Sequence, residues 1–193
     1  MADVKFEYPE LYGELVEVKS EKWYTVYTKP KREKKLAEYA HKNGITYYLP
    51  LIESHKEYER KKVVYTKPLF SNYIFIRFPH AERQTLTNSG HIVSFLTIRN
   101  ERHFLEELKA IQRICDNKIE MTEHHYIEKG KFVRFISGPL KGVIGKVADT
   151  KNIKEVVIQV NMLKQAVAVK AESNQLEVLS DREVELLELN EEF

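Results

Sequence analysis

Six consecutive residues, Tyr73–Phe78, read YIFIRF. Successive side chains of a β-strand point to opposite faces, so Tyr73, Phe75 and Arg77 fall on one side and Ile74, Ile76 and Phe78 on the other. Both sides are largely apolar. A strand of that kind loses stability if either face meets water, so the run predicts a central strand covered on both sides. A second strand is read at 22–28, KWYTVYT, where aromatic and β-branched side chains nearly alternate. The two segments are expected to pair in one sheet carrying Trp23, Tyr24, Tyr27, Phe70, Tyr73 and Phe75. Some of these aromatics must face outward, and clustered aromatics on a sheet surface favour burial against a partner. Trp23 and Phe75 suit the core equally well, whereas Tyr24 and Tyr73 have the better claim as exposed anchors.

The remaining pattern is that of an α+β domain followed by a smaller β unit. Pro30 precedes a helix on which Leu36, Tyr39 and Ala40 recur at helical spacing, and Asn43-Gly44 ends it. Residues 47–52 read as a short strand, 55–62 as a loop or hairpin tip, 80–89 as a helix after Pro79, and 91–97 as a further strand. Phe104, Leu108, Ile111 and Cys115 lie on one face of a helix over 104–115. Residues 116–128 have few apolar side chains and read as an interdomain linker. Five short strand-like runs then follow at 131–136, 143–147, 156–160, 167–171 and 176–179, with turns at Ser137-Gly138-Pro139 and Lys141-Gly142. Five such strands in so short a span suggest a small barrel. The organisation is thus an extension over 1–20, a first domain over 21–115, a linker over 116–128, a barrel over 129–180 and an acidic tail over 181–193. Val184, Leu186, Leu187 and Leu189 among the tail's carboxylates suit a short helix.

Composition narrows the function. With 193 residues, 42% hydrophobic and 31% charged, the chain reads as an ordinary soluble globular protein with one larger and one smaller unit. No stretch approaches the roughly 20 apolar residues of a membrane span. The acidic opening lacks the cationic start and apolar run of a secretory signal, so a cytoplasmic protein is expected; a monomer is expected as well. The net charge is only +2, but Lys and Arg concentrate at 29–35, KPKREKK, and at 60–62, RKK. The seven histidines, at 41, 55, 80, 91, 103, 124 and 125, lie near no cysteine or paired acids at metal-ligand spacing. Cys115, the single cysteine, suits a small buried hydrophobe, and no phosphate-cradling or dinucleotide glycine pattern occurs. The chain therefore reads as a binding protein, with no catalytic residue, metal or cofactor expected.

At this point the residues resemble a family. WYTVYTKPKREKKL is similar to the opening strand and helix of the NusG family, LPLIE to its next strand, and KPLFSNYIFIRF to its central strand. KFVRFISGPLKGVIGKV resembles the KOW motif of the same family, with Gly138, Pro139, Gly142 and Gly145 at the turn and bend positions. The resemblance implies an N-terminal (NGN) domain with an antiparallel sheet flanked by helices, and a five-stranded, SH3-like KOW barrel. It implies docking on the clamp helices of RNA polymerase through Trp23, Tyr24, Phe70, Tyr73 and Phe75, without catalysis. A second polymerase contact would fall on Gln84, Thr85 and Thr87. The non-template DNA strand would meet Lys29, Lys31, Arg32, Lys34 and Lys35. The barrel would recruit a ribosomal protein or termination factor through Met162 and Leu163.

Two departures point to a specialised member. Ser71-Asn72-Tyr73 stands where housekeeping members read Pro-Gly-Tyr, and NMLKQ replaces their Phe-Gly-Arg loop. RfaH-like relatives carry Asn at the first of these, and the two departures together imply an operon-restricted member similar to the UpxY-type antiterminators of capsular and exopolysaccharide operons. EVVIQV and AVAVK alternate and are β-branched, so the barrel is expected to stay in strands rather than refold as a helical hairpin. A general elongation factor, and a KOW-type protein that binds ribosomal RNA, are the alternative readings.

Overall fold

The computed structural model describes residues 7–58, 61–124, 130–147 and 155–192. Two compact units divide the chain, residues 1–98 and 99–193. The boundary lies ahead of the helix over 104–115, not behind it as expected, so that helix belongs to the second unit.

The first unit is built on a five-stranded antiparallel sheet. Its strands are β1 (Leu11–Tyr12), β2 (Lys22–Thr28), β3 (Thr46–Tyr48), β6 (Tyr73–Phe78) and β7 (Ile92–Thr97), in the spatial order β1-β3-β6-β2-β7. Tyr73–Phe78 is the middle strand, as its two apolar faces require, and Ile74, Phe75, Ile76 and Phe78 are all buried. Helix α1 (Glu33–Lys42) lays Leu36, Ala37 and Ala40 on one face of the sheet against Tyr24, Val26, Tyr47, Ile74, Ile76 and Phe78. Each large side chain fully buried there stabilises the fold by roughly 1.5–3 kcal/mol. Leu86, the buried residue of the short helix α2 (Arg83–Asn88), completes this core.

Two expectations change here. Residues 47–52 are split by Leu49-Pro50 into β3 and β4 (Leu51–Tyr58), and β4 pairs with β5 (Lys61–Pro68) along its whole length. The supposed loop over 55–62 is therefore mostly strand, its tip at 59–60 lying outside the described residues; polar alternation suits a two-stranded ribbon as well as a loop. The segment before residue 21 is also no mere extension. β1 pairs with β3, Tyr47 Oη donates to Pro9 O at 2.8 Å, and Leu49 N donates to Glu10 O at 2.7 Å. Residues 1–6 lie outside the described residues.

The second unit holds α3 (Glu101–Asp116), β8 (Met121–His124), β9 (Lys131–Phe135), β10 (Ile144–Val147), β11 (Glu155–Val160), β12 (Gln165–Lys170), β13 (Leu176–Val178) and α4 (Asp181–Glu192). The five expected strands all form. They make an open antiparallel sheet of six, β13-β9-β10-β11-β12-β8, whose end strands are not paired to each other among the described residues. The sixth strand, β8, comes from the segment read as linker and pairs Met121–His124 against β12. Residues 125–128 of that linker lie outside the described residues. Helix α3 packs on β11 and buries Phe104, Leu105, Leu108, Ile111 and Ile114, while Cys115 is only half-buried. Asn100 caps α3 by accepting from His103 N at 3.0 Å. The acidic tail is helical from Asp181, and just ahead of it Ser180 N and Ser180 Oγ both donate to Glu183 Oε2, at 3.0 and 2.8 Å. Arg134 of β9 donates to Glu183 Oε1 at 3.0 Å and so ties the tail to the sheet.

The turn into β10 explains its glycines. Gly138 and Gly142 hold φ of 76° and 85°, a region costly for residues with a Cβ. Gly145 serves a different end: a Cβ there would collide with Val156 Cγ1 and lie 2.9 Å from Val157 O. Gly145→Ala is expected to destabilise the second unit by about 1–3 kcal/mol through overpacking. Urea unfolding of the full chain should show this as an earlier transition of the second unit, with the first unit unchanged.

Candidate docking surface and nucleic-acid surface

Strands β2 and β6 pair antiparallel with Trp23 opposite Arg77, Tyr24 opposite Ile76, Thr25 opposite Phe75 and Tyr27 opposite Tyr73. Period-two alternation then divides the expected docking aromatics. Tyr24 lies on the α1 side, 7% exposed, its ring stacked on Phe78 at 4.5 Å. It cannot line a surface with Trp23, Tyr73 and Phe75, which occupy the other face. This corrects its expected role as an exposed anchor.

Three more of the five expected anchors are interior. Trp23 is buried, its Nε1 donates to Val16 O at 3.0 Å, and the Arg77 guanidinium lies 5.7 Å from its ring. Arg77 also donates to Glu21 Oε2 at 2.7 Å and to Glu14 O at 3.0 Å, so the segment ahead of β2 is fastened across this end of the sheet. Phe75 is fully buried and meets the buried Phe70 edge-on at 6.0 Å. Only Tyr73 remains partly accessible.

Its neighbour is Tyr27, 36% exposed, with ring centroids 5.2 Å apart and planes tilted by 44°. Sequence reasoning counted Tyr27 among the aromatics but did not place it at the docking site. Parity along KWYTVYT was the available signal, since Trp23, Thr25 and Tyr27 share the face of Tyr73.

The same sheet end carries the turn ahead of β6 and the start of α1. Asn72 holds φ 67°, the left-handed region that Gly adopts freely and Asn more readily than most residues. Ser-Asn-Tyr thus meets the same backbone demand as Pro-Gly-Tyr. Asn72 N donates to Glu33 Oε1 at 2.7 Å, and Asn72 O accepts from Thr28 N at 2.8 Å.

Beyond Thr28 the chain enters the basic run. Lys29 Nζ donates to Gly90 O at 2.7 Å, Lys34 Nζ to Thr66 O at 2.6 Å, and Lys35 Nζ pairs with Glu38 at 3.0 Å. The side chains of Lys31 and Arg32 are exposed and make no hydrogen bond or ion pair with the described residues. His91 senses the combined field. Its partial burial and then the charges of Arg32, Lys29 and Lys35 hold the imidazole below its ordinary pKa. On α2, Gln84, Thr85 and Thr87 are exposed, with Gln84 Nε2 donating to Asn88 Oδ1 at 3.0 Å and Thr87 Oγ1 to Arg83 O at 2.9 Å. Both bonds stay within their own helix.

In the second unit the NMLKQ loop is a short 3-10 turn, Asn161–Leu163, in which Leu163 is buried and Met162 half-buried. Of the two apolar residues expected to meet a partner, only Met162 is accessible. Asn161 N donates to Glu107 Oε1 of α3 at 3.1 Å, which holds the turn in place. Among the described residues no group of three or more His, Cys, Asp or Glu could hold a metal ion, and no helix is long and apolar enough to cross a membrane.

Residues 21–123 match the family model described as NusG, transcription termination factor nusG. No curated protein matches the chain. Two solved structures are similar at low identity. They are the MjSpt4:Spt5 complex in conformation B, at 19% identity over 82% of this chain and 97% of that one with a TM-score of 0.24, and in conformation A, at 18% over 82% and 98% with a TM-score of 0.23. The family match spans more than half of the chain and contains β2, α1, β6 and the surface they form. The chain belongs to the NusG family of transcription factors.

Proposed function

We propose that the chain is a transcription elongation and antitermination factor that docks on RNA polymerase through the Tyr27–Tyr73 end of its first sheet. The observation that carries this reading is the convergence there of an accessible aromatic pair and a basic turn. Tyrosine rings combine apolar area with a polar tip, and a few such anchors supply most of the energy of an interface. The helical tip of the polymerase clamp is the partner, with Trp23, Phe70 and Phe75 holding the sheet behind the pair. Gln84, Thr85 and Thr87 form a second, polar contact.

Lys31 and Arg32, backed by Lys29, Lys34 and Lys35, meet the exposed non-template DNA strand as phosphate contacts. The second unit carries the KOW motif and recruits a further protein, a ribosomal protein or a termination factor, through the turn at Met162. The factor acts in the cytoplasm on particular operons of the capsular or exopolysaccharide kind. Loss of the housekeeping loop supports that restriction, since the residues replacing it leave a single accessible apolar side chain.

Core polymerase pulled down by the tagged protein tests the docking reading. Tyr73→Ala is expected to weaken retention by about 2 kcal/mol or more while leaving the fold intact. Absence of polymerase from the wild-type sample would overturn the proposal. For the basic turn, Lys31→Ala and Arg32→Ala together should lower the slope of log affinity against log salt for a single-stranded oligonucleotide by about 1.4, or 0.7 per lost phosphate contact. An unchanged slope would remove both residues from the nucleic-acid surface.

A further inference from the structure

We propose that Glu33 is the positioning residue that sets the Tyr27–Tyr73 pair in its docking geometry, by holding the backbone of Asn72. The inference rests on the polymerase-docking reading above. Glu33 opens α1, yet its side chain points inward and the residue is only 6% exposed. A carboxylate removed from water needs a compensating donor, and its Oε1 accepts from Asn72 N at 2.7 Å, a charge-assisted bond.

That bond falls on the residue whose dihedrals aim Tyr73. Asn72 is in the left-handed region, Tyr73 N closes the turn onto Phe70 O at 3.2 Å, and Asn72 O accepts from Thr28 N at 2.8 Å. Both backbone groups of Asn72 are therefore engaged, one by α1 and one by β2. Thr28 directly follows Tyr27, so the two ends of this relay are the two rings of the pair. Left-handed backbone costs free energy in a residue other than glycine. Without the Glu33 acceptor, the Asn72 N–H is left to find another partner and the turn can relax. The Tyr73 ring, 5.2 Å from Tyr27, would move with it.

Affinity for core RNA polymerase, measured with the full chain, tests this in a double-mutant cycle with a urea midpoint recorded for each variant. Glu33→Gln keeps an acceptor oxygen at the same reach and should bind within about threefold of wild type. Glu33→Asp keeps the charge but withdraws the acceptor by one methylene, and should weaken binding about tenfold, the scale of one hydrogen bond to a charged group. In a Tyr73→Ala background Glu33→Asp should have no further effect. If Tyr73→Ala itself leaves affinity unchanged, the docking reading fails. If it weakens binding but Glu33→Asp adds its full loss on top, or if Gln is the damaging variant and Asp the silent one, the positioning role is overturned.

Discussion

The β2–β6 ladder is the constraint on which the first unit depends. With Tyr24 opposite Ile76 and Val26 opposite Ile74, the middle of one face of the pair is apolar and must be covered by α1. A slip of one residue would send that set to the opposite side, so register is strongly specified. The same ladder leaves Trp23 and Arg77 at one end and Tyr27 and Tyr73 at the other. The first end is closed by the preceding segment, through Glu14, Val16 and Glu21. The second has no such cover over Tyr27 among the described residues, and this inequality makes one end a structural clasp and leaves the other accessible.

Charge is distributed with a similar economy. Of the five cations in the basic run, three make bonds within the protein: Lys29 to the turn before β7, Lys34 to β5 and Lys35 along its own helix. The exposed Lys35–Glu38 pair contributes little to stability, since such pairs are worth about 0–1 kcal/mol. The bonds of Lys29 and Lys34 instead join separate segments and keep the positive field in a fixed place relative to β2. The side chains of Lys31 and Arg32 project from that frame, exposed.

Much of this was legible in the residues. YIFIRF announces a central strand because no other location tolerates two apolar faces, and KWYTVYT, the helix after Pro30 and the five later strands follow from periodicity in the same way. The proposed docking site was only partly legible. Adjacent Trp23 and Tyr24 cannot share a face, which parity alone could have said, but the burial of Trp23, Phe70 and Phe75 depends on contacts distant in the chain. Glu33 was invisible among the charges around it, because its inward side chain and its hold on Asn72 arise only once α1 meets the turn before β6. The strand at 121–124 was missed because MTEH has weak alternation and pairs with a partner more than forty residues away.

That strand changes where the second unit begins. An edge strand presents a row of unpaired N–H and C=O groups that can template association with another chain, and β8 occupies the outer edge of β12. Helix α3 covers β11 from a position still earlier in the chain. A fragment cut at residue 129, where the barrel was expected to start, would shed both, baring a sheet edge and the apolar side chains that α3 buries. Such a fragment would be prone to self-association, whereas one starting at residue 99 carries its own edge guard and its own lid of apolar surface.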